Sequence, residues 1–169
     1  MKKWVLMSFV VLGGVTWALW PRFYSATTVP EANLEISLTI WPMQSIHSDW
    51  HREVSIEYDG ARISRRLFED TGWWRGSNLY VHTSGAYVIH EGQSGCFAFT
   101  TEPIEFVGVP NGVCTKRNLV NHGGEQDARF YRDLEYLGHF HETPRDPGGV
   151  RIRFSSASQT PEVELPEML

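Results

Sequence analysis

The chain of 169 residues has two cysteines, and beyond its first 22 residues a single lysine, Lys116. No serine-nucleophile elbow, HExxH pair, phosphate-binding glycine loop or dinucleotide fingerprint occurs, so the reactions those motifs announce have no sequence support. No cysteine lies near the amino terminus, which excludes a lipoprotein attachment site. The chain is acidic overall, whereas phosphate neutralisation requires clustered lysine and arginine, so nucleic acid is a poor partner. Charge is absent altogether from Trp4 to Trp20.

That uncharged run reads WVLMSFVVLGGVTWALW, with Ser8 and Thr16 its only polar side chains. At about 1.5 Å per residue it spans roughly 25 Å as a helix, enough to cross a bilayer at the short end of the range. Trp4 stands at one end and Trp17 and Trp20 at the other, in interfacial positions. Lys2 and Lys3 outweigh Arg22, which predicts a cytoplasmic amino terminus and export of the remainder. The competing reading is a cleaved signal peptide with Val5 to Val15 as its apolar region and a site after Ala18. Trp17 and Trp20 crowd that site, so residues 1–21 are read as an uncleaved anchor. The expected location is the inner (cytoplasmic) membrane, single-pass, with a periplasmic domain, or secreted if the segment is cleaved.

Residues 22–32 read as a linker, and 33–169 as one β-rich domain. Cys96 and Cys114 both fall in this exported part, where oxidation predicts a disulfide. Closing that loop contributes on the order of 3 kcal/mol by the chain-entropy estimate. Without Lys2, Lys3 and Arg22, the 15 basic residues fall to 12 against all 20 acidic ones, a net charge of −8. An acidic exported domain suits a basic protein partner, although solubility accounts for the same charge.

Alternation supplies the elements. Leu34, Ile36, Leu38 and Ile40 alternate with Glu35, Ser37 and Thr39, a half-buried strand that Pro42 ends. The loop after it carries His47, Trp50 and His51. Glu53 to Phe68 is a hairpin about Asp59-Gly60, a pair that favours the two-residue type I′ turn. Its register sets Glu57 opposite Arg62, Ile56 opposite Ile63 and Glu53 opposite Arg66. Arg65 falls on the apolar face beside Val54, the one discordant position. Leu79 to His90 reads as a second hairpin about Ser84-Gly85, with His82 and His90 on opposite faces. Further strands are expected over Cys96–Thr100, Ile104–Val109, Tyr136–His141 and Val150–Phe154. A short helix is expected over 125–133, and a Pro- and Glu-rich tail begins near residue 155. Short strands with Gly- and Pro-rich turns predict a mainly β fold: an antiparallel β-sandwich or partly open barrel with one short helix, behind a single N-terminal transmembrane helix.

Two constellations could carry chemistry. His139 and His141 stand at i and i+2, on one face of a strand and at a spacing a metal could use, with His122 or a residue of the loop after Glu142 as third ligand. Alternation points Tyr136, Gly138 and Phe140 to the core, leaving the two histidines to solvent or a loop. Surface histidines without a metal are the competing account. Trp73-Trp74-Arg75 could instead offer an aromatic surface to a glycan or a protein. Neighbours on an extended chain point opposite ways, so at least one of those tryptophans should be buried. The sequence points to no cofactor and to no catalytic residue. The expected activity is protein binding, as an accessory subunit of an envelope complex or an immunity-type inhibitor. An extracytoplasmic hydrolase or metal-dependent enzyme using His139 and His141 is the other class.

The topology can be tested directly. A reporter enzyme that works only outside the cytoplasm, fused after Leu169, is expected to be active; signal from a cytoplasm-restricted reporter alone would overturn export.

Overall fold

The computed structural model describes residues 23–29, 33–43, 50–67, 74–92, 95–111, 113–114, 133–145, 149–163 and 165. The expected anchor and His122 lie outside them, as does the expected helix apart from Asp133. Among the described residues no helix is long and apolar enough to cross a membrane.

Among the described residues ten strands form two antiparallel sheets. They are β1 (Phe23–Val29), β2 (Leu34–Pro42), β3 (Trp50–Tyr58), β4 (Ala61–Arg66), β5 (Ser77–His82), β6 (Tyr87–His90), β7 (Cys96–Thr101), β8 (Ile104–Val107), β9 (Leu134–Arg145) and β10 (Gly149–Ser156). The first sheet is ordered β1-β2-β3-β4 and the second β10-β9-β5-β6-β7-β8. The stretch expected as a linker therefore contains β1, which pairs with β2 along its whole length. Its sequence FYSATTV is rich in aromatic and β-branched residues, which favour strands, and has no break before Pro30.

The sheets pack through their inner faces. Leu34, Ile36, Leu38, Ile40, Val54 and Ile56 of the four-stranded sheet meet Leu79, Tyr87, Ile89, Phe97, Phe99, Phe140 and Ile152 of the other. Burial of each large aliphatic side chain contributes about 1.5–3 kcal/mol, and this shared layer is what holds the sheets together. The β3–β4 register is the expected one, from Tyr58 opposite Ala61 to Glu53 opposite Arg66. The discordant Arg65 remains exposed and lays its guanidinium 5.7 Å from the ring of Phe106 on β8. A cation over an aromatic face explains why a charge is tolerated in the apolar phase.

The β5–β6 hairpin departs from expectation by one residue. His82 N–H donates to Ala86 O and Gly85 N–H to His82 O, so the loop has three residues, Thr83-Ser84-Gly85, with Gly85 at φ +85°. Leu79 thus pairs with Ile89 and Asn78 with His90. His82 and His90 consequently share a face, contrary to the two-residue reading. A second shift lies in β9, where Leu79 pairs with Gly138 but Tyr80 with Tyr136. This bulge turns Tyr136 outward against Tyr80, with ring centroids 5.7 Å apart, while Leu137 packs on the core. Gly138 sits at φ +155°, and a Cβ there would collide with the Phe154 ring and the Ser155 carbonyl. Only glycine fits the bulge.

Cys96 and Cys114 form a disulfide with their Cα atoms 5.9 Å apart. It lies on the outer face of the six-stranded sheet, in a second apolar cluster with Tyr80, Val88, Ala98 and Val113. The tail crosses the same face without adding an edge strand: Val163 accepts a hydrogen bond from Asn78, and Leu165 is buried.

Candidate functional site

Among the described residues two polar clusters are buried, one on each face of β5. The first lies between the sheets. Arg52 on β3 belongs to the inward phase of Val54 and Ile56, so its side chain enters the core, where 1 % of the residue remains exposed. Its guanidinium pairs with the carboxylate of Glu91, just past β6, and both side chains are fully buried. The other carboxylate oxygen accepts from Ser77 Oγ, which in turn accepts from Trp74 Nε1 at 2.9 Å. The Trp74 ring lies 5.4 Å from the Arg52 guanidinium carbon. One sheet supplies the cation, and the other supplies the anion, through β6, and the hydroxyl, through β5.

The second cluster lies on the outer face. Successive strand pairings set Ser155 beside His139, His139 beside Asn78, Asn78 beside His90 and His90 beside Cys96, a straight row across five strands. Asn78 anchors it. Its carbonyl accepts from His139 Nδ1–H at 2.6 Å, and its amide donates to Tyr80 Oη at 3.0 Å and Val163 O at 2.7 Å. Tyr80 Oη donates to Glu162 Oε1 at 2.9 Å, so the tail is strapped down by the same network. Asn78 Oδ1 can only accept, which fixes the proton of neutral His139 on Nδ1. Nε2 then lies beside Gly76, at φ +111°, where a Cβ would strike the imidazole edge. Residue 76 has to be glycine for the ring to fit.

Electrostatics follows from this burial. Desolvation, with the neighbouring His141 ring adding to it, lowers the pKa of His139 to about 4. Desolvation alone lowers that of His90 to about 4. The Tyr136 phenol is pushed up to about 12 by burial and by Glu162.

The expected site residues are dispersed by the fold. His139 and His141 do share a face, their rings stacked 5.7 Å apart and 5° from parallel. His139 is nevertheless buried under the tail rather than facing solvent, because Asn78 and Gly76 receive it. Trp74 is buried at 9 %, capping the core beside Arg52, whereas Arg75 is exposed and Trp73 lies outside the described residues. Among the described residues, the metal-competent trio with ligand atoms within 4.8 Å of one another is His90, Cys96 and Cys114. Arg52, Ser77, Asn78, His90 and Glu91 carried no sequence motif. Extending the Val54–Ile56 phase back two residues would have placed Arg52 inside; Glu91 requires the cross-sheet contact itself.

Two stability experiments probe these clusters. Glu91→Ala leaves the Arg52 charge buried without its carboxylate and is expected to cost about 3–5 kcal/mol in urea unfolding. The double variant Arg52→Met, Glu91→Leu is expected to recover most of that loss, since apolar replacement of a buried pair is often neutral. The histidines give a pH test. In the unfolded chain they titrate near the ordinary 6.5, in the fold near 4. Between those values the unfolded chain binds more protons, so stability rises with pH across the window and is lost as pH falls through it. His139→Gln is expected to flatten the urea midpoint between pH 6.5 and 4; a slope parallel to the wild type would contradict a neutral buried His139. No family model, curated protein or solved structure matches the chain.

Proposed function

We propose that this chain is a membrane-anchored extracytoplasmic binding module, a β-sandwich held to the inner membrane by residues 1–21, that recognises another envelope protein without catalysing a reaction. The observation that carries this reading is the edge strand β4. Among the described strands it pairs only with β3, and Ala61, Arg62, Ser64, Arg65 and Arg66 are all exposed. An exposed sheet edge offers main-chain donors and acceptors to an incoming extended segment, with alternate side chains giving specificity.

The alternation of β4 puts Arg62, Ser64 and Arg66 on the outer face of the sheet, opposite Glu57, Ser55 and Glu53. Arg66 lies 5.8 Å from the ring of Trp41, which itself lies 5.5 Å from the His51 ring. Tryptophan and arginine are the residues that dominate binding hot spots. The same arginines repel the β4 edge of a second copy and so disfavour self-pairing. Bulk acidity suits a basic partner, as an immunity-type inhibitor of a basic toxin would require. The exposed edge has the opposite sign, which favours an acidic strand of an envelope complex, the accessory-subunit reading.

The catalytic reading draws less support. The buried His139 is hydrogen-bonded to Asn78, and no third metal ligand gathers around His139 and His141 among the described residues. A glycan surface through Trp73 and Trp74 loses Trp74 to the core.

The test is capture from detergent-solubilised membranes with the full chain, partners identified by mass spectrometry. Arg62→Glu combined with Arg66→Glu is expected to abolish recovery of the specific partner and, by setting like charges opposite Glu57 and Glu53, to lower the melting temperature. Glu53→Gln with Glu57→Gln, which removes the same cross-strand pairs but keeps both arginines, is expected to retain the partner. Recovery unchanged by the double reversal would remove β4 as the recognition element, and the absence of any specific partner would remove the binding reading itself.

A further inference from the structure

We propose that His90, Cys96 and Cys114 form a redox-gated zinc site: closed while the two sulfurs are bonded to each other, and able to take one zinc(II) ion once they are reduced. Position comes from the sheet. His90 ends β6 and pairs directly with Cys96, the first residue of β7, so their side chains leave the same face as nearest cross-strand neighbours. Cys114 follows the turn closed by Val113 N–H to Pro110 O. The nitrogen and sulfur donors already lie within 4.8 Å of one another. Around tetrahedral zinc, thiolate sulfurs at about 2.3 Å from the metal are roughly 3.8 Å apart, and nitrogen to sulfur slightly less. The Cα separation of 5.9 Å suits that spacing with side-chain rotation alone.

The charge balance selects this trio over the other histidine pair. Zinc(II) with two thiolates and a neutral imidazole is a neutral complex, which an apolar setting of Val88, Ala98 and Val113 can hold. Zinc on His139 and His141 would leave two positive charges in a buried position with no counter-charge from its ligands. Thiolate and imidazole donors are also the set that zinc prefers, and three protein ligands leave the fourth position to water.

The gating step balances. A dithiol reductant attacks one sulfur of Cys96–Cys114, passes through a mixed disulfide and leaves as its own cyclic disulfide, giving two protein thiols. Two electrons and two protons have moved from the dithiol to the cysteines. Zinc binding then releases both thiol protons to solvent. In the reverse direction a small-molecule disulfide takes the two electrons of the thiolates and two protons from solvent, leaves as two thiols, and so re-forms Cys96–Cys114 and expels the metal.

The full chain in detergent, reduced with a water-soluble phosphine and freed of it anaerobically, is titrated with cobalt(II) as the spectroscopic probe and then with zinc(II). One equivalent of cobalt is expected to give thiolate charge-transfer absorption and the visible bands of a tetrahedral ion, both bleached by zinc. The oxidised chain should give neither. His90→Gln, which keeps both thiols, should weaken binding at least about tenfold, since even groups behind the ligands contribute that much. Should reduction unfold the domain, zinc is expected to restore a cooperative melt. The proposal is overturned by a reduced chain that shows no charge-transfer band and no zinc-restored melt, or by a His90→Gln variant that titrates like the wild type. None of these readouts depends on β4 or on a protein partner.

Discussion

A charge placed between two sheets is the constraint to which the other features answer. Arg52 enters the core from one sheet and Glu91 meets it from the other, with Ser77 donating to the carboxylate and the Trp74 ring beside the guanidinium. Taking both charges out of water is expensive, and their attraction offsets that cost only when geometry and hydrogen bonds are complete. The pair and the hydroxyl that donates to its carboxylate add directional contacts between β3 of one sheet and the β5–β6 region of the other, on top of the close-packed apolar layer. Trp74, which could have been a surface aromatic, is committed to the same contact through its ring nitrogen and its face.

Fixing β5 on its inner face also fixes the row on its outer face, because alternate residues of one strand serve the two. Ser77 reaches inward to Glu91 and the adjacent Asn78 reaches outward to His139. Gly76, immediately before them, gives up a side chain so that the imidazole can lie against the backbone. Three consecutive residues thus connect the cross-sheet ion pair, the buried histidine and the tail strapped over it. In β9 the bulge at Leu137 and Gly138 does the complementary work, keeping Leu137 in the core while bringing Tyr136 beside Tyr80.

How much of this could be read in the sequence depended on whether local chemistry determined register. Asp59-Gly60 commits its hairpin to a two-residue turn, so every β3–β4 pair was legible, including the awkward Arg65. Ser84-Gly85 is permissive. A glycine at positive φ can close either a two- or a three-residue loop, and the chain uses the longer one. That single residue moved His90 from the face assigned to it to the face of Cys96. The disulfide was legible from two cysteines and a compartment argument, but the histidine beside it was not. A bulge similarly reversed Tyr136, since strict alternation carries no warning of an extra residue. Arg52 was hidden by a misplaced strand start, and its partner is 39 residues away in sequence, beyond any local pattern.

Charge neutrality separates the polar clusters that are finished from the one that can change state. Arg52 and Glu91 cancel each other and are enclosed; adding a ligand there would leave one of them uncompensated. His139 is neutral, donates one ring proton to Asn78 and presses its other edge against Gly76, which leaves no room for an ion without moving the strand. The row ends differently at Cys96. A disulfide is uncharged and so are two thiols, so that end can pass between redox states in an apolar setting without stranding a charge. Two thiolates could not persist there alone, and a divalent cation is the counter-charge that would let them. The covalent bond and the metal are then two ways of meeting the same electrostatic requirement at one point of the sheet, and the neighbouring imidazole matters only for the second.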